Sequence, residues 1–203
     1  MKTLDHSFHE MQEEQIDLSQ IEPHFRKATL NMIAAHHVCQ KSVQAFKKSH
    51  PQMDLSQLAT LVATHFGEVS SSLEFLTTWH DSQLAKPILF QNSLHNSTLG
   101  FVSIQLGLTG PAMTISADVK MDESVFYTAH ALLQTTPFVL ICYVDMVPTY
   151  LKENYIRAFP YLKPHLGWAR SVILTAENSE NTSSPFLFSS LISPSDTRQA
   201  QDC

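Results

Sequence analysis

The clearest pattern in the chain is a series of apolar runs of strand length separated by longer amphipathic stretches. Residues 138–144, with the sequence FVLICYV, form an unbroken apolar run that is typical of a strand buried on both faces. A shorter run at residues 58–64 predicts a second buried strand. Three further short runs predict strands at residues 112–117, 171–176 and 186–192.

Between these runs, apolar residues recur every three or four positions, as they do on the buried face of an amphipathic helix. The helices predicted in this way span residues 24–48 after Pro23, residues 70–79 with three serines available to cap the start, residues 92–106 with Gly107 as the stop, and residues 122–134. A chain in which strands and helices alternate is predicted to form an α/β layered domain.

The 203 residues divide by composition into three parts. Residues 1–22 are polar with weak periodicity, which predicts a mobile or partly helical arm. Residues 23–193 carry the periodic pattern and form the predicted domain, and residues 194–203 are predicted to be a disordered tail.

The charge balance excludes several classes of function. The chain has 13 basic and 19 acidic residues, a formal net charge of -6, and no dense run of Lys or Arg, so we expect no nucleic-acid partner. No glycine-rich phosphate-binding loop is present, and we predict no cofactor. No apolar run approaches the roughly 18 residues that cross a bilayer, so we expect no membrane span.

The cysteines indicate the compartment. The chain has three, Cys39, Cys142 and Cys203, an odd number at wide spacing with no C-x-x-C pair. This pattern favours a reducing environment over a disulfide framework. Residues 1–17 are polar and acidic, unlike a secretory signal, so we predict a cytoplasmic protein.

Residues 96–115, with the sequence NSTLGFVSIQLGLTGPAMTI, are more specific. This segment resembles the part of beta-ketoacyl synthases in which a helix leads through a Gly-Pro turn into the strand before the nucleophile. The matching positions are Asn96, Gly100, Ser103, Gly107, Gly110 and Pro111.

Residues 63–68, 87–96 and 139–148 continue the likeness in the same order. The chain is similar, over roughly residues 23–176, to the short beta-ketoacyl synthase-like N-terminal domain family, which is associated with fatty-acid, polyketide and aryl polyene synthesis. The resemblance implies a thiolase-like layered α-β-α domain equivalent to the N-terminal half of a condensing enzyme.

The chain departs from a synthase at the nucleophile. The resemblance places a cysteine after the strand, but no cysteine lies between Leu94 and Ala131. The second half of a condensing enzyme, which carries its later basic residues, is also missing from the sequence. We therefore expect a non-catalytic accessory or scaffold protein that acts with an acyl carrier protein or a ketoacyl synthase, as a homo-oligomer or a heteromer.

A serine-dependent acyl transferase or thioesterase is the alternative, with Ser116, Ser124 and His95 as weak catalytic candidates. The acids nearest to these serines in sequence, such as Asp122, are poor bases for a hydroxyl group. A helix cap for the serines and a backbone contact for His95 are the preferred interpretations. No histidine grouping has the spacing of a metal site, and no metal is predicted.

Gly100 gives one stereochemical expectation. A glycine in a helix allows a neighbouring element to approach closely. If the resemblance holds at this position, a side chain on Gly100 should collide with its neighbour and destabilise the fold.

Overall fold

The computed structural model describes residues 2–3, 9–12, 15–16, 25–117 and 119–176. Its strands are β1 (Lys2–Thr3), β2 (His9–Gln12), β3 (Leu58–Ala63), β4 (Ala112–Ile115), β5 (Phe138–Asp145) and β6 (Trp168–Thr175). Its α-helices are α1 (Leu30–Ser49), α2 (Val69–Ser82), α3 (Pro87–Asn92), α4 (Ser97–Leu106), α5 (Met121–Leu132) and α6 (Thr149–Ala158). Two 3₁₀ helices span Leu55–Gln57 and Pro160–His165.

The strands form one mixed sheet in the order β1-β6-β5-β3-β4, and β2 also pairs with β6. β3 pairs in parallel with β4 on one side and with β5 on the other. β6 is antiparallel to β5. The carboxyl ends of β3, β4 and β5 therefore meet at one edge of the sheet, where α/β proteins commonly place their sites.

Side chains alternate along β5 between two apolar cores, as the two-residue period of a strand requires. Leu140 and Cys142 belong to the core beneath α1 and α4. Val139 and Ile141 belong to the core beneath α5. The sheet thus has helices on both faces, which confirms the predicted layered α/β class.

Most predicted elements are present with shifted ends. α1 begins at Leu30, six residues later than predicted, because Thr29 caps it by accepting a hydrogen bond from the backbone amide of Met32 at 3.1 Å. The serines expected to cap α2 do not; its N-cap is Glu68, and no side chain caps it. Gly107 ends α4 as predicted, with a left-handed φ of 65°.

The N-terminal arm, predicted to be mobile or partly helical, contributes two short strands to the sheet. β1 and β2 both pair antiparallel with β6 along the edge away from β5. In β2 only Met11 is buried, so the strand carries almost no apolar signal. The predicted strand at 186–192 and the predicted tail lie outside the described residues.

Two helices were not predicted. α3 (Pro87–Asn92) lies before the helix expected over residues 92–106, and that helix, α4, begins only at Ser97. α6 follows β5 and was missed because none of its residues is buried. Its apolar residues Leu151, Tyr155 and Ile156 are only half-buried, so the helix adds little to the core.

The motif glycines behave differently from one another. A side-chain carbon on Gly100 would have no neighbour within 4 Å, so the predicted collision at Gly100 is wrong within this chain. The same carbon on Gly110 would overlap the carbonyl oxygen of Leu58. The close approach is thus at the Gly110-Pro111 turn, where the chain enters β4 beside β3.

Candidate functional site

A buried carboxylate organises the edge at which the parallel strands end. Asp145, the last residue of β5, is 4% exposed. Its Oδ1 accepts a hydrogen bond from Oγ1 of Thr64 at 2.7 Å and from the amide of Phe66 at 3.1 Å. The amide of His65 lies 3.0 Å from both carboxylate oxygens. The carboxylate therefore fixes the turn that follows β3.

The imidazole of His65 completes this arrangement. Its Nδ1 lies 2.7 Å from Oδ2 of Asp145, and the two side chains are 5% and 4% exposed. This contact fixes the imidazole ring of His65 against the end of β5. An Asp–His pair of this kind can orient a base or stabilise an imidazolium.

Asn31 ties the same turn to α1. Its Nδ2 donates to the carbonyl of Gly67 at 2.6 Å, and its Oδ1 accepts from the amide of Met146 at 2.7 Å. One buried amide thus bridges the segments that follow β3 and β5. Gly67 has a φ of 56°, and a side chain there would overlap the ring of His95. Glycine is required at this position both for conformation and for space.

Glu68 is a second buried carboxyl group beside this turn, with 3% exposure. It accepts a short hydrogen bond from Oγ1 of Thr98, in the first turn of α4. Burial raises the pKa of Glu68, although hydrogen bonds from Thr98 and Thr29 act in the opposite direction. Glu68, the N-cap residue of α2, is thus hydrogen-bonded to residues at the starts of α1 and α4.

The three catalytic candidates do not assemble into one site. Ser116 is exposed beyond the end of β4, and its Oγ donates to the main-chain carbonyl of His65 at 3.3 Å. Ser124 lies within α5 and is half-buried. His95 is exposed, and its ring lies against Gly67.

From the sequence, Asp145 follows a buried run, where a site residue and a loop residue that caps the next turn are both expected, with the loop residue slightly preferred; no pairing with His65 was predicted. The available signal was positional, because both residues directly follow or end a buried apolar run. Parallel strands bring such positions to the same edge. The pairing of β3 with β5 was the missing information, since the two residues are 80 positions apart.

The described cysteines are unsuited to nucleophilic chemistry. Cys39 on α1 and Cys142 on β5 are free and fully buried. A hydrogen bond to Cys142, together with burial, raises the pKa of the Cys39 thiol. Among the described residues, no group of three or more His, Cys, Asp or Glu side chains is placed to hold a metal ion.

The remaining motif residues lie around the open edge of the sheet. β4 is the last strand in the sheet order, and within the described part of the chain its outer edge pairs with nothing. Met113 on β4 is 46% exposed, and Ile104 on the adjacent α4 is 79% exposed. Asn96 is the exposed N-cap residue of α4, and Ser103 is half-buried on the same helix.

These features together define the class of protein. Helices on both faces of a mixed sheet, a Gly-Pro turn into the edge strand and a polar edge beyond three parallel strands are those of a thiolase-like domain. The chain belongs to the beta-ketoacyl synthase N-terminal domain family, whose model matches residues 5–202.

Solved structures of ketosynthases share the fold. One is the complex of the ketosynthase ApeO with its chain length factor ApeC from Xenorhabdus doucetiae, with a TM-score of 0.61 and 17% identity over 87% of this chain and 76% of that chain. The ishigamide ketosynthase/chain length factor gives a TM-score of 0.63 and 15% identity over 82% of this chain and 50% of that chain.

A third structure is AntDE:AntF, a type II polyketide acyl-carrier protein in complex with its ketosynthase bound to the hexaketide. It matches with a TM-score of 0.63 and 13% identity over 79% of this chain and 52% of that chain. This chain therefore spans about half the length of two of these relatives and three-quarters of the first. No curated protein matches the sequence. None of the described helices has the length and apolar character needed to cross a membrane.

Proposed function

We propose that this protein is a non-condensing accessory subunit of a cytoplasmic ketosynthase system for fatty-acid, polyketide or aryl polyene synthesis. It pairs with a ketosynthase and contributes a protein surface rather than a nucleophile. The observation that carries the proposal is the open edge of β4, with exposed Met113 on the strand and exposed Ile104 on the adjacent helix α4.

An open apolar strand edge is a liability that proteins cover by pairing. A second chain whose own edge strand adds to β4 would bury Met113 and would bring its other elements towards Gly100 and Ile104 on α4. Two of the similar structures are of a ketosynthase with a chain length factor, which makes a ketosynthase the favoured partner for this chain.

The residues beyond β4 support a non-condensing role. The strand is followed by Ser116-Ala117, with no cysteine before α5. Both described cysteines, Cys39 and Cys142, lie in the core beneath α1 and are shielded from solvent. A thioester could not form on either thiol without opening that core.

Sedimentation velocity tests the pairing. The ketosynthases of the source organism are mixed one at a time with this chain, and one of them should form a stable complex. Met113→Asp and Ile104→Asp should each weaken that complex at least about tenfold while leaving the melting temperature unchanged. Tyr127→Asp on α5, where Tyr127 is 62% exposed, is the matched control and should bind normally. A chain that stays monomeric with every ketosynthase contradicts the proposal.

A serine-dependent acyl transferase or thioesterase is the second candidate, because Ser116 Oγ donates to the backbone carbonyl of His65, the residue whose ring pairs with Asp145. Such an enzyme would form an acyl ester on Ser116 Oγ while the thiol leaves, and water would then release the acid. A fluorophosphonate probe tests this directly. Labelling that is lost in both Ser116→Ala and His65→Gln would establish the enzyme, and an unlabelled wild-type protein would exclude it.

A further inference from the structure

Two free cysteines face each other in the core between α1 and the sheet. Cys39 lies on α1 and Cys142 lies on β5, and neither has any exposed surface. Both belong to the same apolar core, and the thiol of Cys39 is hydrogen-bonded to the thiol of Cys142. The fold therefore brings two sulfur atoms that are far apart in the sequence into direct contact.

A second pair of side chains gives the same placement independently. Ser42 follows Cys39 by three residues, so both lie on one face of α1. The Oγ of Ser42 is 2.8 Å from the Oγ of Ser171 on β6. Ser171 is the residue directly opposite Cys142 in the antiparallel pairing of β5 with β6. Neighbouring side chains of α1 thus contact neighbouring positions of the sheet, and this places Cys39 over Cys142.

The main chains of α1 and of the sheet approach closely at this point. A direct hydrogen bond between side chains as short as those of Ser42 and Ser171 requires a short distance between the two main chains. The nearby core side chains are also small, with Ala35 on α1 and Ala169 on β6 fully buried. A disulfide needs the same closeness, because its two Cα atoms are usually about 4.4–6.8 Å apart.

We propose that Cys39 and Cys142 form a reversible oxidation site, at which a hydroperoxide joins the two thiols into an intramolecular disulfide. The sulfur of one cysteine attacks an oxygen of hydrogen peroxide, the O–O bond breaks, and a sulfenic acid and water form. The sulfur of the other cysteine then displaces the hydroxyl group as water. The two thiols lose two hydrogen atoms and two electrons, and the peroxide is reduced to two molecules of water.

The size of the oxidant decides whether it reaches this pair. Hydrogen peroxide is a small molecule and enters through a brief local opening of the core, whereas a bulky thioester is kept out. The disulfide would join α1, which carries Asn31, to β5, which ends in Asp145, and both residues hold the turn after β3. Disulfides of this kind in a reducing compartment are transient and redox-sensing. The inference concerns the interior of the domain and does not depend on the proposed pairing with a ketosynthase.

The test uses the folded chain with Cys203→Ser, in which Cys39 and Cys142 are the only cysteines left. Hydrogen peroxide should convert the reduced monomer into a monomer that is lighter by about 2 Da and has no free thiol. Peptide mapping should find the Cys39 peptide linked to the Cys142 peptide, and dithiothreitol should restore both thiols. Cys39→Ala and Cys142→Ala in the same chain are the matched controls, and neither should show this loss of mass.

Stability distinguishes a bond formed at the native contact from one formed after unfolding. A cross-link between residues in native contact restricts the unfolded chain, so the oxidised protein should unfold at a higher urea concentration than the reduced protein. Dithiothreitol should reverse this rise. The proposal is overturned if peroxide leaves both thiols free, if it produces sulfinic acids or linked dimers instead, or if the disulfide lowers the urea midpoint.

Discussion

Oδ2 of Asp145 lies 2.7 Å from Nδ1 of His65, and this contact joins the end of β5 to the turn that follows β3. The same carboxylate accepts hydrogen bonds from Thr64 and from two backbone amides. Because each of these donors is withdrawn from water, the carboxylate is the group that makes the turn stable. The contact thus has a structural function whatever chemistry His65 performs.

Asp145→Ala is therefore expected to destabilise the protein strongly. It leaves the hydroxyl of Thr64 and the amides of His65 and Phe66 without their acceptor, at a cost of about 3 kcal/mol or more. Urea denaturation measures the loss. Asp81→Ala is the control, because Asp81 also pairs with a histidine, at 3.0 Å, but at a site where both side chains are largely exposed. The control should leave the midpoint nearly unchanged, and equal losses in the two variants would contradict the assignment.

Glu68 predicts a pH dependence of stability. Burial raises the pKa of Glu68 in the folded state above that of the unfolded chain. The folded protein then holds this proton more tightly, so Glu68 lowers the free energy of unfolding as pH rises from the usual glutamate range through the raised pKa. At lower pH the group is protonated in both states and this effect disappears.

Glu68→Gln isolates this contribution. Glutamine keeps an oxygen that can accept from Thr98 and cannot ionise, so the variant should gain stability relative to wild type as pH rises from 4 to 8. Thermal melts across that range measure the difference. Glu74→Gln, at an exposed position of the same helix, is the control and should follow the wild-type curve. A difference between Glu68→Gln and wild type that does not change with pH would contradict the prediction.

The thiols should not form acyl adducts. Cys39 and Cys142 are fully buried, and the pKa of the Cys39 thiol is raised, so neither presents a thiolate to a thioester. Incubation with an acyl thioester followed by peptide mapping should find no acyl group on either residue in the native protein. The same protein unfolded in denaturant is the control for reactivity. An adduct mapped to Cys39 or Cys142 under native conditions would contradict the prediction.

The parts of the fold that could be predicted from the sequence are those whose burial is large. β5 is buried along almost its whole length, and its apolar run is unmistakable. β2 and α6 escaped prediction because one buries a single residue and the other none. Their positions depend on a neighbouring strand and on ring contacts with Phe66, which are tertiary interactions that no local pattern records.

The site was predictable only in part for a related reason. Ser116 and His95 were recognised by residue type and by their place in the chain, yet the side chains that meet at the ends of β3 and β5 are His65 and Asp145. Which residues meet is decided by the parallel register of β3 and β5, where Ala63 lies opposite Tyr143. The resemblance to condensing enzymes predicted β4, the strand that precedes the nucleophile in those enzymes. It did not predict which side chains surround the end of β4 in this chain.

Substitution by alanine is expected to have opposite effects on stability at Gly100 and at Gly110. Gly100→Ala meets no atom within 4 Å and replaces a helical glycine, so it should raise stability by up to about 1 kcal/mol. Gly110→Ala would meet the Leu58 carbonyl, and overpacking of this kind should lower stability by about 1–3 kcal/mol. Thermal melts of the two variants give the signs. A loss of stability in Gly100→Ala would show that the helix surface is already covered in the isolated protein.

A larger substitution at Gly100 distinguishes an effect on folding from an effect on assembly. Gly100→Phe places a large ring in the space over α4, so the isolated chain should melt at or slightly above the temperature of wild type. If a ketosynthase covers this space, the ring must displace it, and the affinity should fall at least about tenfold. Sedimentation velocity against the ketosynthase measures the affinity, and Ser82→Phe, at the exposed end of α2, controls for an added aromatic ring. Normal binding by Gly100→Phe would place the partner elsewhere, because no ketosynthase could approach α4 closely without meeting that ring.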